Sequence, residues 1–261
     1  MRLLIKFSLS GKKQMLPLNY QYPVSAWIYK VLSTANKEFA DMLHDNGYRL
    51  VNGKSFKLFT FSRLQFPKHT WKIIPGSDRM QIWSRNARLT ISFQLPEQSE
   101  NFVMGLFKEQ HAFIGDKVSG IDMNVENLEV LDVNKITQEN ISLKAITPIV
   151  LGLDIEGEEN EQYVTPVHPS YRDVFLNNLI DKYRATGKTN YAAGDLDLKI
   201  KKLYAKTAMQ VIKANTDAET KVKAYYFDFE ITAPKEIIEV GLNAGFGSMN
   251  SLGFGFCDVM E

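Results

Sequence analysis

The sequence predicts an α+β protein built from two tandem βαββαβ units. Three observations carry that expectation. The chain opens on Met1-Arg2-Leu3-Leu4-Ile5-Lys6-Phe7-Ser8-Leu9, where Leu3, Ile5, Phe7 and Leu9 alternate onto one face as a half-buried strand requires. Helical spacing follows over 24–35 at Val24, Trp27, Ile28, Val31 and Leu32. A similar order of strand and helix patterns returns after residue 140, with no clear sequence repeat between the halves.

In chain order, the opening strand covers 2–9 and ends in a polar turn before Leu16-Pro17-Leu18-Asn19-Tyr20. A helix over 24–35 comes next. A second, short helix over 37–44 stops before Gly47, a natural terminator. Strands are expected at 57–66, 71–74 and 80–95, the last with an internal break. A helix at 97–110 turns Phe102 and Leu106 inward, and a strand near 126–133 closes the unit. This β-α-β-β-α-β order describes a ferredoxin-like (RRM-like) domain over 1–136.

The second such domain is expected over 137–261. It has one strand or a tight pair of strands at 141–153 and a helix at 171–184 carrying Val174, Phe175, Leu179 and Tyr183. Two long strands follow at 196–211 and 221–232. Pro234 stands near the start of a helix at 235–242, where its missing N–H costs nothing. A glycine-rich loop then leads into a closing strand over 253–259.

The 261 residues are 44% hydrophobic and 23% charged, the balance of a soluble globular protein. A single cysteine, Cys257, rules out an internal disulfide and fits a reducing, cytoplasmic setting. No apolar run is long enough for a membrane span, and the N-terminal segment does not read as a signal peptide. Net charge is +1, but its distribution is uneven. Residues 49–88 hold nine Lys or Arg against one acid, Asp78, whereas 89–167 hold four Lys against fourteen acids. Lys199, Lys201, Lys202, Lys206 and Lys213 form a second basic stretch with no acid inside it. Such asymmetry suggests one face for a polyanion, or an ordinary solvated surface. The acidic run over 154–161 lacks the spacing of a calcium loop and reads as a solvated connection.

The most chemically suggestive segment is the C-terminal loop, Gly245-Phe246-Gly247-Ser248-Met249-Asn250-Ser251-Leu252-Gly253-Phe254-Gly255. Glycines permit positive φ and close approach of another backbone, as loops that bind phosphate through bare N–H groups need. No Gly-Lys-Ser/Thr is present, and a dinucleotide loop would run from strand to helix rather than from helix to strand. Among the four histidines, His44, His69, His111 and His168, none is spaced like a zinc motif. His44 ends a short helix. That position suits a plain cap, and equally a proton shuttle on a fixed element. If 57–66 is a strand, Lys57, Phe59, Phe61 and Arg63 share one face. Phe59 and Phe61 are then core residues first, and the RNA-recognition octamer is absent.

Trp27-Ile28-Tyr29-Lys30, Met42-Leu43-His44-Asp45, Lys57-Leu58-Phe59-Thr60-Phe61-Ser62 and the terminal glycine loop together resemble the Cas6 family of CRISPR repeat-RNA endoribonucleases. The resemblance spans the whole chain, with the middle similar only in layout. It implies metal-independent cleavage of precursor CRISPR RNA within the repeat by the substrate's own 2′-OH, leaving 2′,3′-cyclic phosphate and 5′-OH ends. It implies catalytic roles for His44, Tyr29 and Lys57, with Lys54 as the alternative lysine, and neither metal nor cofactor. RNA contacts are expected from Gly245, Gly247, Ser248, Asn250, Ser251, Gly253 and Gly255, and from Arg63, Lys68, Lys199, Lys201 and Lys202. The implied partners are repeat RNA and other Cas effector-complex subunits, with no membrane, and monomer and homodimer both remain open. Two rivals stand beside this reading: a Cas6-like protein that binds repeat RNA without cutting it or serves as an effector-complex scaffold, and a ferredoxin-like protein that binds a small ligand or another protein.

Overall fold

The computed structural model describes residues 1–11, 14–132, 136–153, 162–192, 194–212 and 219–260. The acidic run 154–161 and Lys213 lie outside them. In order, the elements are β1 (Arg2–Leu9), β2 (Gln14–Pro17), α1 (Gln21–Ala35), α2 (Lys37–Asp45), β3 (Tyr48–Arg49), β4 (Ser55–Phe56), β5 (Phe59–Phe61), β6 (Trp71–Ile73), β7 (Arg79–Ile82), β8 (Asn86–Phe93), α3 (Pro96–Lys108), β9 (His111–Gly115) and β10 (Gly120–Leu131). The second half holds β11 (Asn140–Ala145), β12 (Gly152–Leu153), β13 (Gln162–Tyr163), α4 (Tyr171–Ala185), β14 (Asp197–Ile212), β15 (Thr220–Thr232), α5 (Lys235–Ala244), a 3-10 turn at Asn250–Leu252 and β16 (Cys257–Val259).

Two antiparallel sheets carry the molecule. The first has strand order β5-β8-β1-β10-β9 and the second β14-β15-β11-β16. With the edge strand β9 set aside, both share one arrangement: the unit's first strand lies between its third and its last. These are two tandem ferredoxin-like domains. β1 behaves as its alternation demands, with Leu3, Ile5, Phe7 and Leu9 buried against the helices. The stripe Val24, Trp27, Ile28, Val31 and Leu32 on α1 is buried throughout. Trp27 meets Phe7 and Phe102 edge-on at 5.7 and 5.9 Å. A Cβ at Gly105 would lie 1.9 Å from the Val31 carbonyl oxygen, so glycine is what lets α3 approach α1 this closely.

Three local expectations change. The strand expected over 57–66 is reduced to Phe59–Phe61; it starts late because Leu58 adopts φ +54° and breaks the alternation. Lys57 therefore does not share a strand face with Phe59, Phe61 and Arg63. The polar turn expected before Leu16 is shorter than read: residues 14–17 form a strand that pairs with β7, which itself pairs with β6 in a separate small sheet. The closing strand begins only at Cys257, and residues 253–256 belong to the loop.

The two domains interlock. Leu58 lies 2% exposed in the second domain's core although it belongs to the first domain's chain. Arg2 on β1 donates to the Cys257 carbonyl at 2.6 Å, pairs with Asp258 at 2.5 Å and stacks over Phe256. Phe246, Phe254 and Phe256 are also buried. The aromatic residues of the glycine loop thus anchor it, and it is not a free turn. No helix among the described residues is long and apolar enough to cross a membrane.

Candidate active site

The fold brings Tyr29, His44 and Lys57 together. α1 positions Tyr29, whose ring meets the His44 imidazole edge-on at a centroid distance of 5.0 Å and packs on Phe59 at 5.7 Å. α2 holds His44 at its last turn, fixed from below by buried Phe39, Ala40 and Leu43. The imidazole itself is exposed. Its Nδ1 lies 2.8 Å from an Asp45 carboxylate oxygen. An ionised carboxylate only accepts, so Nδ1 is the donor in this contact, and in the neutral imidazole it is Nε2 that carries the lone pair. Lys57 Nζ donates to the backbone carbonyl of His44 at 2.6 Å. Its own backbone is held by Gln98, whose Nε2 donates to the Lys57 carbonyl at 2.6 Å.

The segment between His44 and Lys57 is a short hairpin of β3 and β4, and it closes the gap between the two residues. It also separates the two candidate lysines. Lys54 is occupied by Asp181 on α4 at 2.9 Å, whereas Lys57 faces His44. Burial draws the Lys57 ammonium below the ordinary lysine range, with Arg49 pushing the same way and Asp45 opposing. Burial pushes the Tyr29 hydroxyl up to about 12, and a hydrogen bond with the Ser251 side chain works against that shift. Tyr29 is therefore a neutral donor across the physiological range.

Ser251 joins this group to the glycine loop. All four loop glycines have positive φ, between 72° and 90°. A Cβ on Gly255 would fall 1.9 Å from the Phe246 carbonyl oxygen, so this position excludes any side chain. Several loop amides are already committed. Gly245 N donates to Gly241 O, Ser248 N to Val150 O, Gly253 N to Asn250 O and Gly255 N to Pro148 O. These N–H groups shape the loop and are not free donors for a phosphate. Asn250 is likewise committed: its Nδ2 donates to the carbonyls of Phe246 and Phe254, each at 3.0 Å. Gly247, Ser248 and Ser251 border the open cleft described below.

Lys182 on α4, absent from the sequence expectations, organises the loop. It is 2% exposed, and its Nζ donates to Gly245 O at 2.6 Å, Gly247 O at 2.5 Å and Asn250 Oδ1 at 2.6 Å. Burial lowers its pKa to about 7. The sequence holds one signal for it. Lys182 stands three residues after Leu179 and seven after Phe175, on the apolar stripe of its helix.

The remaining cations fall into two groups. Arg63 stacks its guanidinium over Tyr226 on β15 at 4.8 Å. On neighbouring β14, Lys201 pairs with Glu230 at 2.9 Å, Lys199 lies 3.8 Å from the same carboxylate, and Lys202 sits opposite Asp228. The stretch that looked free of acid along the chain is thus partly neutralised across the sheet. Arg63 and these lysines line β15, and Lys68 stays exposed. Among the described residues, no three of His, Cys, Asp and Glu come together in a group that could hold a metal ion.

Two family models match this chain almost end to end. Residues 15–128 match the N-terminal model of CRISPR-associated protein Cas6, and residues 131–259 match the C-terminal one. The chain belongs to the Cas6 family. A curated family member from Methanocaldococcus jannaschii, the CRISPR-associated endoribonuclease Cas6 1, is 29% identical over 95% of this chain and 88% of its own length. The CRISPR-associated endoribonuclease Cas6 of Pyrococcus furiosus is 25% identical over 99% of this chain and 90% of its own. A solved structure described as CRISPR associated protein Cas6 superposes with a TM-score of 0.74 at 26% identity, covering 100% of this chain and 99% of that one.

Proposed function

We propose that this Cas6 family member is an endoribonuclease that cleaves precursor CRISPR RNA within the repeat, without a metal ion. The observation that carries the proposal is the convergence of Tyr29, His44 and Lys57, drawn from α1, α2 and the segment after β4, at the edge of the glycine loop. Curated relatives named as endoribonucleases match along nearly their whole length, which supports the same reading.

In the proposed reaction the 2′-OH beside the scissile phosphate attacks phosphorus in line, and the bond from phosphorus to the 5′ oxygen breaks. The products are a 2′,3′-cyclic phosphate and a free 5′-OH. His44 Nε2 is placed to take the 2′-OH proton or, once protonated, to give one to the leaving oxygen. Such assistance is worth about 10²–10⁴ in rate. The Lys57 ammonium faces the charge that grows on the phosphorane oxygens, where a fixed cation acts most strongly. Tyr29, neutral at working pH, donates a hydrogen bond that holds the reacting group in line. Ser251 fixes the Tyr29 hydroxyl and ties it to the loop.

On this reading residues 1–136 carry the catalytic group, residues 137–261 carry the loop that grips the RNA, and the protein works in the cytoplasm. Incubation with repeat RNA in excess EDTA, followed by end-group analysis, tests the proposal. Cleavage with 2′,3′-cyclic phosphate and 5′-OH ends is expected. Loss of cleavage on adding EDTA contradicts the metal-free chemistry. Tight binding with no cleavage under any condition identifies a non-cutting repeat-binding protein instead.

A further inference from the structure

Between His44 and Lys57 the chain makes a detour. It leaves α2, forms the β3–β4 hairpin and returns. Residues 54–59 then line one wall of a cleft of about 560 Å³, whose other walls come from residues 151–153, residues 247–251 and α4. The hairpin has two faces. Tyr48, Leu50 and Phe56 pack against the second domain's core. Arg49 and Ser55, directly opposite each other in the register, are exposed on the other face. Lys57 stands two residues after Ser55 and so takes the same outer face. Its stem crosses Gly47, which has φ +64°. A Cβ there would lie 3.0 Å from Lys57 Cδ and 2.7 Å from Phe56 O. Glycine at this point lets the Lys57 stem pass close to the chain and reach the His44 carbonyl. Ser55 Oγ donates to the Asn46 carbonyl at 2.7 Å and ties the same base of the hairpin together.

Arg49 and Lys57 are therefore diagonal neighbours on one face, a spacing of about 7–8 Å that long side chains span. Their charges are felt across that gap. Burial is the main cause that draws the Lys57 ammonium down; Asp45 opposes it, and Arg49 adds to it. The Asp45 carboxylate also serves His44 Nδ1 at 2.8 Å. Glu97 bears instead on the Tyr48 hydroxyl, on the inner face. Two like charges held side by side repel, and an anion seated between them relieves the repulsion.

We infer that Arg49 is a second phosphate-binding cation of this site, closing with Lys57 on the non-bridging oxygens of the phosphate at the cut. The inference rests on the proposed ribonuclease function and goes beyond it by assigning a substrate-binding residue on the hairpin. The two cations do different work. A guanidinium offers phosphate oxygens a rigid planar fork, whereas an ammonium is a compact point charge. Arg49 thus sets the orientation of the phosphate, and Lys57 meets the charge that grows on it.

The test measures binding of repeat RNAs that all carry a 2′-deoxy nucleotide just 5′ of the cut, so that the proposed chemistry leaves them whole. In each RNA one linkage, from three before the cut to three after it, is a neutral methylphosphonate following a 2′-deoxy nucleotide. Arg49→Ala is expected to bind the all-phosphate RNA about tenfold more weakly than the unsubstituted protein does. It is expected to bind the RNA that is neutral at the cut as well as the unsubstituted protein does. Its salt dependence should fall by one phosphate contact, about 0.7 in log–log slope. Arg49→Lys, which keeps the charge and loses the fork, recovers part of the affinity. Lys37→Ala, which removes an exposed cation paired with Asp41 at the start of α2, shows no dependence on which linkage is neutral. An Arg49→Ala loss that is equal on every RNA, or that disappears only when a different linkage is neutral, overturns the inference. So does unchanged binding by that variant. If the unsubstituted protein cuts no unmodified repeat RNA, the ribonuclease reading falls and takes the inference with it. Cutting at a defined phosphate, with no Arg49→Ala loss tied to that phosphate, removes the inference alone.

Discussion

His44→Ala is expected to slow single-turnover cleavage of repeat RNA by about 10²-fold or more while leaving RNA affinity essentially unchanged. The imidazole is exposed and supports little of the fold. It touches Asp45 and the edge of the Tyr29 ring, and the rest of α2 is held by Phe39, Ala40 and Leu43. The contact from Lys57 goes to the His44 backbone carbonyl, so it survives the substitution. On the proposed reading, binding rests on phosphate contacts spread over many groups, and losing one ring removes none of them. Filter binding alongside a quenched time course separates the two effects. A parallel fall in affinity and rate would show that His44 holds RNA rather than moving a proton.

Lys182→Met is expected to disable cleavage without touching any residue of the Tyr29–His44–Lys57 group. Methionine fills similar space but leaves Gly245 O, Gly247 O and Asn250 Oδ1 buried without their donor. Each such acceptor costs about 1–3 kcal/mol when stranded. The loop is expected to loosen, and with it the Ser251 contact that steadies Tyr29. The substitution also carries a pH signature. Burial lowers the Lys182 pKa to about 7, below that of a lysine in the unfolded chain. From about pH 7 toward the ordinary lysine range, the unfolded chain therefore binds more protons than the folded one. Over that window this residue's titration raises stability with pH. Urea midpoints measured across it are expected to rise less steeply in Lys182→Met than in the unsubstituted protein. Equal slopes would mean that Lys182 keeps its proton as tightly folded as unfolded.

Much of the architecture could be read from the residues, because it rests on period and burial. The alternation of β1 and the stripe on α1 each meet one core, and each is buried as its pattern requires. The order of the motifs also placed Tyr29, His44 and a lysine on successive elements. What could not be read depends on contacts distant in sequence. Leu58 turns the chain by a left-handed residue because its side chain is taken into the second domain. No local pattern announces that, and it is what detaches Lys57 from the strand face and sets it against His44. That Lys54 is engaged by Asp181, more than a hundred residues away, while Lys57 faces His44 appears only in the fold. Glu230 sits opposite Lys199 only once β14 and β15 pair. The glycine loop was legible as a site of positive φ. That its amides are largely spent on the chain itself, with Lys182 and Asn250 as internal ties, appears only in three dimensions.

In the proposed mechanism the RNA supplies the nucleophile and the protein supplies only acid–base and electrostatic help. One measurement addresses it most directly: cleavage, in EDTA, of a repeat RNA carrying a single 2′-deoxy nucleotide just 5′ of the cut, beside the unmodified RNA. The unmodified RNA is expected to be cut, and the 2′-deoxy RNA to be bound but stay whole. Cleavage of both at similar rates would contradict it, because the attacking oxygen would then come from water.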